Sequence, residues 1–423
     1  MTLFNQQNGR ILLITTPHTY RTEAFTAAAN RLGIDIEQAI DLPPELTADW
    51  QVPLGVDFRN LAGATDVIVD YARKRPFSAI LAVDDSGTLL AARASAALHL
   101  PHNDPDSALA ARDKHKMRQM LSGAGINAPR FQLFHTSDDP HAIAAQVGYP
   151  CVVKPTTLSG SRGVIRANNP AELVAAVQRL ARLIAPAGAP AQPFLVEAYI
   201  PGIEVALEGM LDNGRLTILA LFDKPDPLEG PFFEETIYVT PSRLPEATQH
   251  AIADCTDKAA RALGLRTGPI HAELRLNDAG PWLVEIAGRS IGGLCSRVLQ
   301  FGISTAQDNA TLEELILRQA AGLGVPNPKR VGQAGGVMMI PIPKAGLLRR
   351  VDGLAAAEAV PLIESVEITA KLNYPLVPLP EGESYLGFIF ARGETPAAVE
   401  AALRQAHQQL HFAIEPQITL RMA

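Results

Sequence analysis

Two hydrophobic periods alternate along the chain. "RILLITTPHTYRTEAFTAAANRLGIDIEQA" (10–39) reads as a buried strand, a polar turn, an amphipathic helix, Gly33 and a second strand. "GATDVIVDYARKRPFSAILAVDDSGTLLAARASAALHLP" (63–101) repeats the rhythm with the apolar strand "AILAV" between two helices. Strands alternating with helices predict a parallel sheet covered by helices, an α/β unit ending near residue 107. A single helix is expected over "ALAARDKHKMRQMLSGAG" (108–125), followed by strands at "INAPRFQLF", "PCVVKP" and "GVIRANN" and a helix over 170–184. The stretch "APAGAPAQP" (185–193) predicts a flexible surface loop. Strands over 194–200 and 204–222, a long loop at 223–235 and a helix over 246–264 lead to a hairpin. From about 329, strands and helices over 352–359 and 395–410 predict a small α+β unit. The expected organisation is thus 1–107, 108–328 and 329–423.

The hairpin "HAELRLNDAGPWLVEIAG" (271–288) places His271, Glu273 and Arg275 on one face of its first strand. With Asp278-Ala279-Gly280 as a three-residue loop, Asn277 pairs with Pro281, Glu273 faces Glu285, and Leu283, Glu285 and Ala287 share a face. Opposed like charges repel unless something positive lies between them.

Composition narrows the classes. A net charge of −7 over 423 residues, with no dense Lys/Arg run, argues against a nucleic-acid partner. No apolar run reaches the ~20 residues a membrane helix needs, so a cytoplasmic protein is expected. Cys151, Cys255 and Cys295 fit neither a zinc spacing nor a disulfide framework and read as structural thiols. The first strand lacks a glycine fingerprint, so a dinucleotide site there is not expected.

The strongest local signal is "CVVKPTTLSGSRGVIRA" (151–167), where a buried strand delivers Lys154 next to the small-residue loop Ser159, Gly160, Ser161, Arg162, Gly163. Backbone amides in such a loop can surround phosphate oxygens while a lysine adds charge. Taken alone, the stretch also reads as an ordinary hairpin. Lys114 alone reads as a solvated helix charge. Glu197 and Glu204, flanking a Pro-Gly turn, read alone as exposed acids, although a carboxylate suits ribose hydroxyls. Asp84 and Asp85 in "VDDSG" read first as turn formers, second as neighbours of a crevice. Lys224 and Glu235, assigned to the 223–235 loop, read first as solvated loop charges and second as candidates on a substrate side. Gly292 and Gly293 are candidates there too, and otherwise make a bend after "RSI". Arg275 reads as structural, and Met338 and Met339 as core.

Together, the order of lysine, lysine with small-residue loop, Glu-x-x-Ile-Pro-Gly-x-Glu and Glu…Glu-Ile-x-x-Arg resembles the ATP-grasp superfamily. Within it, "FDKPDPLEGPFFEETIYVTPSRLP" (222–245), "EIAGRSIGGLCSRVLQFG" (285–302) and "MMIPIPKAGLLRRVDG" (338–353) resemble the carboxylate–amine ligases, most of all the L-amino-acid ligases that form dipeptides. The resemblance implies a central ATP-grasp fold of two α+β subdomains between the N-terminal α/β domain and the C-terminal unit. It implies that Lys114, Lys154 and the loop Ser159, Gly160, Ser161 and Gly163 contact ATP phosphates. The backbone from Glu197 through Ile200 would meet adenine, and Glu204 the ribose. Glu273 and Glu285 would hold Mg²⁺ (or Mn²⁺), and Arg289 would neutralise an acyl phosphate. His271, on the face of Glu273, reads first as a partly buried hydrogen-bonding histidine and second as a substrate contact. Many relatives carry Asn two residues after the second acid; here that position is Ala287, so a second ion either leans on phosphate and water or is absent.

The implied activity is ADP-forming ligation of a small-molecule carboxylate to an amine. A bicarbonate-activating enzyme and a non-catalytic nucleotide sensor are the alternatives. A homodimer is the commonest oligomeric prior.

Overall fold

The computed structural model describes residues 9–47, 49, 52–185, 188–303 and 309–417. Residues 186 and 187 of the loop expected at 185–193 therefore lie outside the described residues. At the N-terminal end, β1 (Ile11–Thr15), β2 (Ile36–Asp41), β3 (Leu54–Val56) and β4 (Ala79–Ala82) form a parallel sheet in the order β3-β2-β1-β4. Each residue of β1 is buried, as "ILLIT" requires of a strand covered on both faces. Helices α1 (Thr22–Leu32), α2 (Leu61–Lys74) and α3 (Thr88–Ala97) cover it.

The helix expected over 108–125 is two helices, α4 (Pro105–Arg112) and α5 (Lys114–Gly123). Asp113 separates them: its backbone is extended and its carboxylate accepts from the amides of His115 and Lys116, capping the second helix. Lys114 therefore opens α5, and its amide donates to Thr156 O.

A small sheet follows, in the order β5-β8-β6-β7, from β5 (Phe131–His135), β6 (Cys151–Pro155), β7 (Ile165–Ala167) and β8 (Pro193–Ala198). Helices α6 (Pro140–Ala144) and α7 (Pro170–Ile184) pack on it. Asn169 caps α7 by accepting from the Glu172 amide. The large sheet has eight strands. Its first five are β9 (Ile203–Asp212), β10 (Arg215–Lys224), β11 (Ile237–Thr240), β12 (Gly268–Asn277) and β13 (Gly280–Ala287), with α8 (Glu246–Ala262) on one face. The short pair β14 (Phe301–Gly302) and β15 (Lys329–Arg330) brackets α9 (Leu312–Ala320), whose apolar side packs against α1.

The remaining chain adds β16 (Ala334–Ile340), β17 (Gly346–Asp352), α10 (Leu354–Glu358), β18 (Ile363–Ile368), β19 (Pro375–Leu376), β20 (Gly387–Gly393), α11 (Pro396–Gln409) and β21 (His411–Glu415). Strands β16, β20 and β18 continue the large sheet, whose order is β13-β12-β9-β10-β11-β16-β20-β18. The C-terminal segment thus shares its backbone ladder with the strands that carry Glu204, Glu273 and Glu285. No helix among the described residues is long and apolar enough to cross a membrane. The three cysteines are free thiols; Cys151 and Cys295 are buried.

Candidate active site

Glu273 does pair with Glu285, by a different route from the one the turn chemistry predicts. The loop has two residues, since Asn277 pairs with Gly280, and Leu276 with Pro281. A β-bulge then inserts Val284 between Leu283, which pairs with Leu274, and Glu285. The extra residue also corrects the expected faces: Leu283 and Ile286 both enter the core beneath α8, while Val284, Glu285 and Ala287 line a cavity of about 1010 Å³.

Two lysines answer the repulsion between the acids. Lys114 Nζ lies 3.2 Å from Glu285 Oε2 and donates to Leu158 O at 2.8 Å. Lys224 Nζ donates to Glu273 Oε1 at 2.8 Å. Lys114 is 4 % exposed, so the reading as a solvated helix charge is overturned; the Asp113 break turns it inward. Lys224 is the last residue of β10, not part of a loop, and it is buried. Burial would lower its pKa; Glu204, Glu235 and Glu273 outweigh that and hold the ammonium well above its ordinary value.

Lys154 also lines the cavity, 2.6 Å from Glu197 Oε2. Burial, with Arg118 and Lys114 nearby, brings its pKa down to about 8 against the pull of Glu197. Glu197 is itself buried and takes a fork from Arg118, at 2.7 Å to Nε and 3.3 Å to Nη2. The loop after Lys154 turns through left-handed backbone at Gly160, Ser161 and Gly163. Ser159, Gly160 and Ser161 line the cavity. Gly163 does not: its amide donates to Pro380 O at 2.8 Å, and a Cβ there would meet Leu180 Cδ1 at 2.8 Å. Arg162 Nε donates to Glu381 O at 3.0 Å, and Arg179 forks onto the Glu381 carboxylate at 2.6 and 2.8 Å.

Ile200 and Glu204 line the same cavity. Arg275 holds both, donating to Ile200 O at 2.7 Å and to Glu204 Oε2 at 3.0 Å, which agrees with its structural reading. On the far side are His271, Glu235, Gly292, Gly293 and Arg289. His271 is hydrogen-bonded through Nδ1 to Glu208 and lies 3.6 Å from Glu273 Oε1 through Nε2. Burial would lower its pKa, but Glu208 and Glu273 raise it to about 9. Burial would likewise raise Glu273, but Lys224 and His271 hold it well below the usual carboxylate range. Glu235 is pushed up to about 7 by burial, with Lys224 pulling down and Glu273 pushing up. Arg289 is buried in charge: Asp85 Oδ1 is 3.6 Å from its Nε, and that acid with Glu285 outweighs the effect of burial and raises its pKa.

Three contributors do not stand out in the sequence. Arg118 is wholly buried and also donates to Val284 O at 2.5 Å. Glu208 sits inside an apolar strand, where an acid among "VAL" and "GML" is the available signal. Arg21 donates to Val83 O at 2.9 Å and to Ser290 Oγ at 2.7 Å, tying the end of the N-terminal sheet to the residue after Arg289.

The donor set at the bulge is carboxylate oxygen, the type a hard divalent cation such as Mg²⁺ or Mn²⁺ takes, so Glu273 and Glu285 fit such an ion. An open cavity carrying opposed acids, buried lysines and a loop of small residues can take a polyphosphate together with a divalent cation. Comparison with known proteins agrees: family models match an ATP-grasp N-terminal domain over 25–102 and an ATP-grasp domain over 147–298. The chain thus carries an ATP-grasp domain preceded by an ATP-grasp N-terminal domain. Residues 338–415 match the L-amino acid ligase C-terminal domain 2.

The L-amino acid ligase of Bacillus licheniformis superposes with a TM-score of 0.78 at 26% identity, over 97% of this chain and 100% of that one. Alanine–anticapsin ligase of Bacillus subtilis (strain 168) is 29% identical over 200 residues, 43% of this chain and 42% of the relative. The uncharacterized protein y4rH of Sinorhizobium fredii (strain NBRC 101917 / NGR234) is 26% identical over 319 residues, 75% of this chain. These last two matches span 42% and 64% of the relatives' own lengths.

Proposed function

We propose that the protein is an ATP-dependent carboxylate–amine ligase that joins two small molecules, the carboxylate being an amino acid, and releases ADP and phosphate. The observation that carries this reading is the meeting, in one cavity, of the opposed acids Glu273 and Glu285, the buried lysines 114 and 154, and Arg289. The match of the C-terminal segment to the amino-acid ligases supports the amino-acid class.

In this reading the carboxylate oxygen attacks the γ-phosphorus of ATP, the bond to the β-phosphate oxygen breaks, and an acyl phosphate forms. Lys114, Lys154 and the amides of residues 159–161 draw the phosphates into place and offset their charge, where most of the catalytic effect of a phosphoryl-transfer protein lies. Ile200 offers its backbone to adenine and Glu204 its carboxylate to the ribose. Glu273 and Glu285 would hold Mg²⁺, which when bound supplies charge neutralisation at the transferring group. Arg289, fixed by Asp85, faces the acyl phosphate. The amine nitrogen then attacks the carbonyl carbon, phosphate leaves, and the nitrogen sheds a proton to give the amide. His271, Glu235, Gly292 and Gly293 line the substrate side. The segment 380–383 holds the loop that keeps water from the mixed anhydride.

The test is phosphate release from Mg-ATP over a matrix of amino acids, singly and in pairs, with ADP and AMP separated. Stimulation by a pair with ADP as product is expected. Stimulation by bicarbonate alone, or AMP as product, overturns the reading.

A further inference from the structure

An alkylammonium has three N–H donors, and Lys224 spends all three. Nζ donates to Glu204 Oε1 at 2.8 Å, Glu235 Oε1 at 2.6 Å and Glu273 Oε1 at 2.8 Å. The acceptors come from three separate stretches: strand β9, the segment before β11, and strand β12. Among the described residues, these three carboxylates form the one acid group spaced as metal ligands are, with oxygens within 4.8 Å of one another. The protein's own ammonium stands at their centre. Lys224 does not line the cavity, whereas all three acids do. It therefore acts through them.

We infer that Lys224 is a positioning residue that takes the place of a metal ion in the Glu204–Glu235–Glu273 cluster and so confines divalent cations to the Glu273–Glu285 edge. One fixed cation orients three cavity carboxylates and occupies the alternative place an ion would find among them. Without it, the charged partners of the three acids among the described residues would be Arg275, on Glu204 at 3.0 Å, and His271, 3.6 Å from Glu273 and shared with Glu208, with the Tyr238 hydroxyl 3.5 Å from Glu273 Oε1. Such an excess of negative charge on hard oxygen donors recruits a divalent ion. The inference rests on the ligase reading in treating Glu273 and Glu285 as the metal edge.

Mn²⁺ binding without nucleotide, followed by electron paramagnetic resonance of the free ion, tests it. Lys224→Gln should bind Mn²⁺ about tenfold tighter than the unaltered protein, or better, and should gain thermal stability from the ion. Lys224→Arg should behave as the unaltered protein, and Lys224→Gln with Glu235→Gln should lose the gained site. Unchanged affinity in a folded Lys224→Gln, or an equal gain in Lys224→Arg, overturns the inference. If Lys224→Gln does not fold alone, refolding in millimolar Mn²⁺ decides the point: folding only with the ion supports the substitution, and failure with and without it overturns it. No nucleotide or substrate enters these measurements. Absence of ligase turnover with every amino-acid pair would sink the ligase reading and leave this result standing.

Discussion

Arg118 and Val284 join the two walls of the cavity. The bulge that sets Glu285 opposite Glu273 frees the Val284 carbonyl, and Arg118 donates to it at 2.5 Å while forking onto Glu197. Glu197 in turn holds Lys154 at 2.6 Å. A continuous run of polar contacts thus links the acid hairpin to the lysine beside the small-residue loop.

Arg118→Met breaks that run where the side chain has no access to water. Glu197 is left buried with Lys154 alone, and loss of one partner of a buried pair costs about 3–5 kcal/mol. Urea unfolding should show a loss of this size. A loss under about 1 kcal/mol would mean the pair adds no more than an exposed one does.

Glu285→Gln keeps the size of the side chain and removes the charge. ATP turnover should fall by about 100-fold or more, the scale of losing a group that stabilises transferring charge, with far-UV circular dichroism and melting unchanged. A fully active variant would remove Glu285 from the metal edge.

Arg289→Ala should separate binding from chemistry. The loss should fall on kcat, by about 100-fold, while the Kd for ATP, read by titration calorimetry, stays within about threefold. Equal losses in both would place Arg289 on the nucleotide and not on the acyl phosphate.

Lys154 should set an alkaline limit. Its ammonium titrates at about 8 in the free protein, so kcat/KM for ATP should fall as pH rises through that value. The limb in kcat should lie higher, because bound phosphates hold the proton on. Lys154→Arg should abolish the break, and a flat profile from about 7 to about 9.5 would exclude the lysine from binding. Stability runs the other way. The unfolded chain keeps this proton up to the ordinary lysine pKa, so this group's contribution favours the folded state as pH rises from about 8 and is lost as pH falls back through it.

Strands and amphipathic helices were legible wherever one face is buried, because period alone reports that; the helix over Pro170–Ile184 and the Glu273–Glu285 pairing are examples. The pairing follows from the hairpin pattern even though the loop is one residue shorter than its turn chemistry predicts, since the bulge at Val284 offsets the difference. The break at Asp113 was hidden because an aspartate inside a helical pattern looks the same whether it caps or is solvated. Arg118 and Arg21 were hidden for a related reason: a buried arginine differs from a surface one only in its partners, and Glu197 and Ser290 lie 79 and 269 residues away. Lys114 is buried and lines the cavity although local pattern alone assigns it to solvent.

The large sheet also imposes an order on assembly. Strand β20 is inserted between β16 and β18, and its Phe388 walls the cavity, yet it follows in the chain every other strand of that sheet. During synthesis at the ribosome, the N-terminal unit and both acids emerge while this wall is still unmade. The nascent chain therefore holds an unpaired β16 edge, an invitation to wrong strand partners, until residues 387–393 arrive.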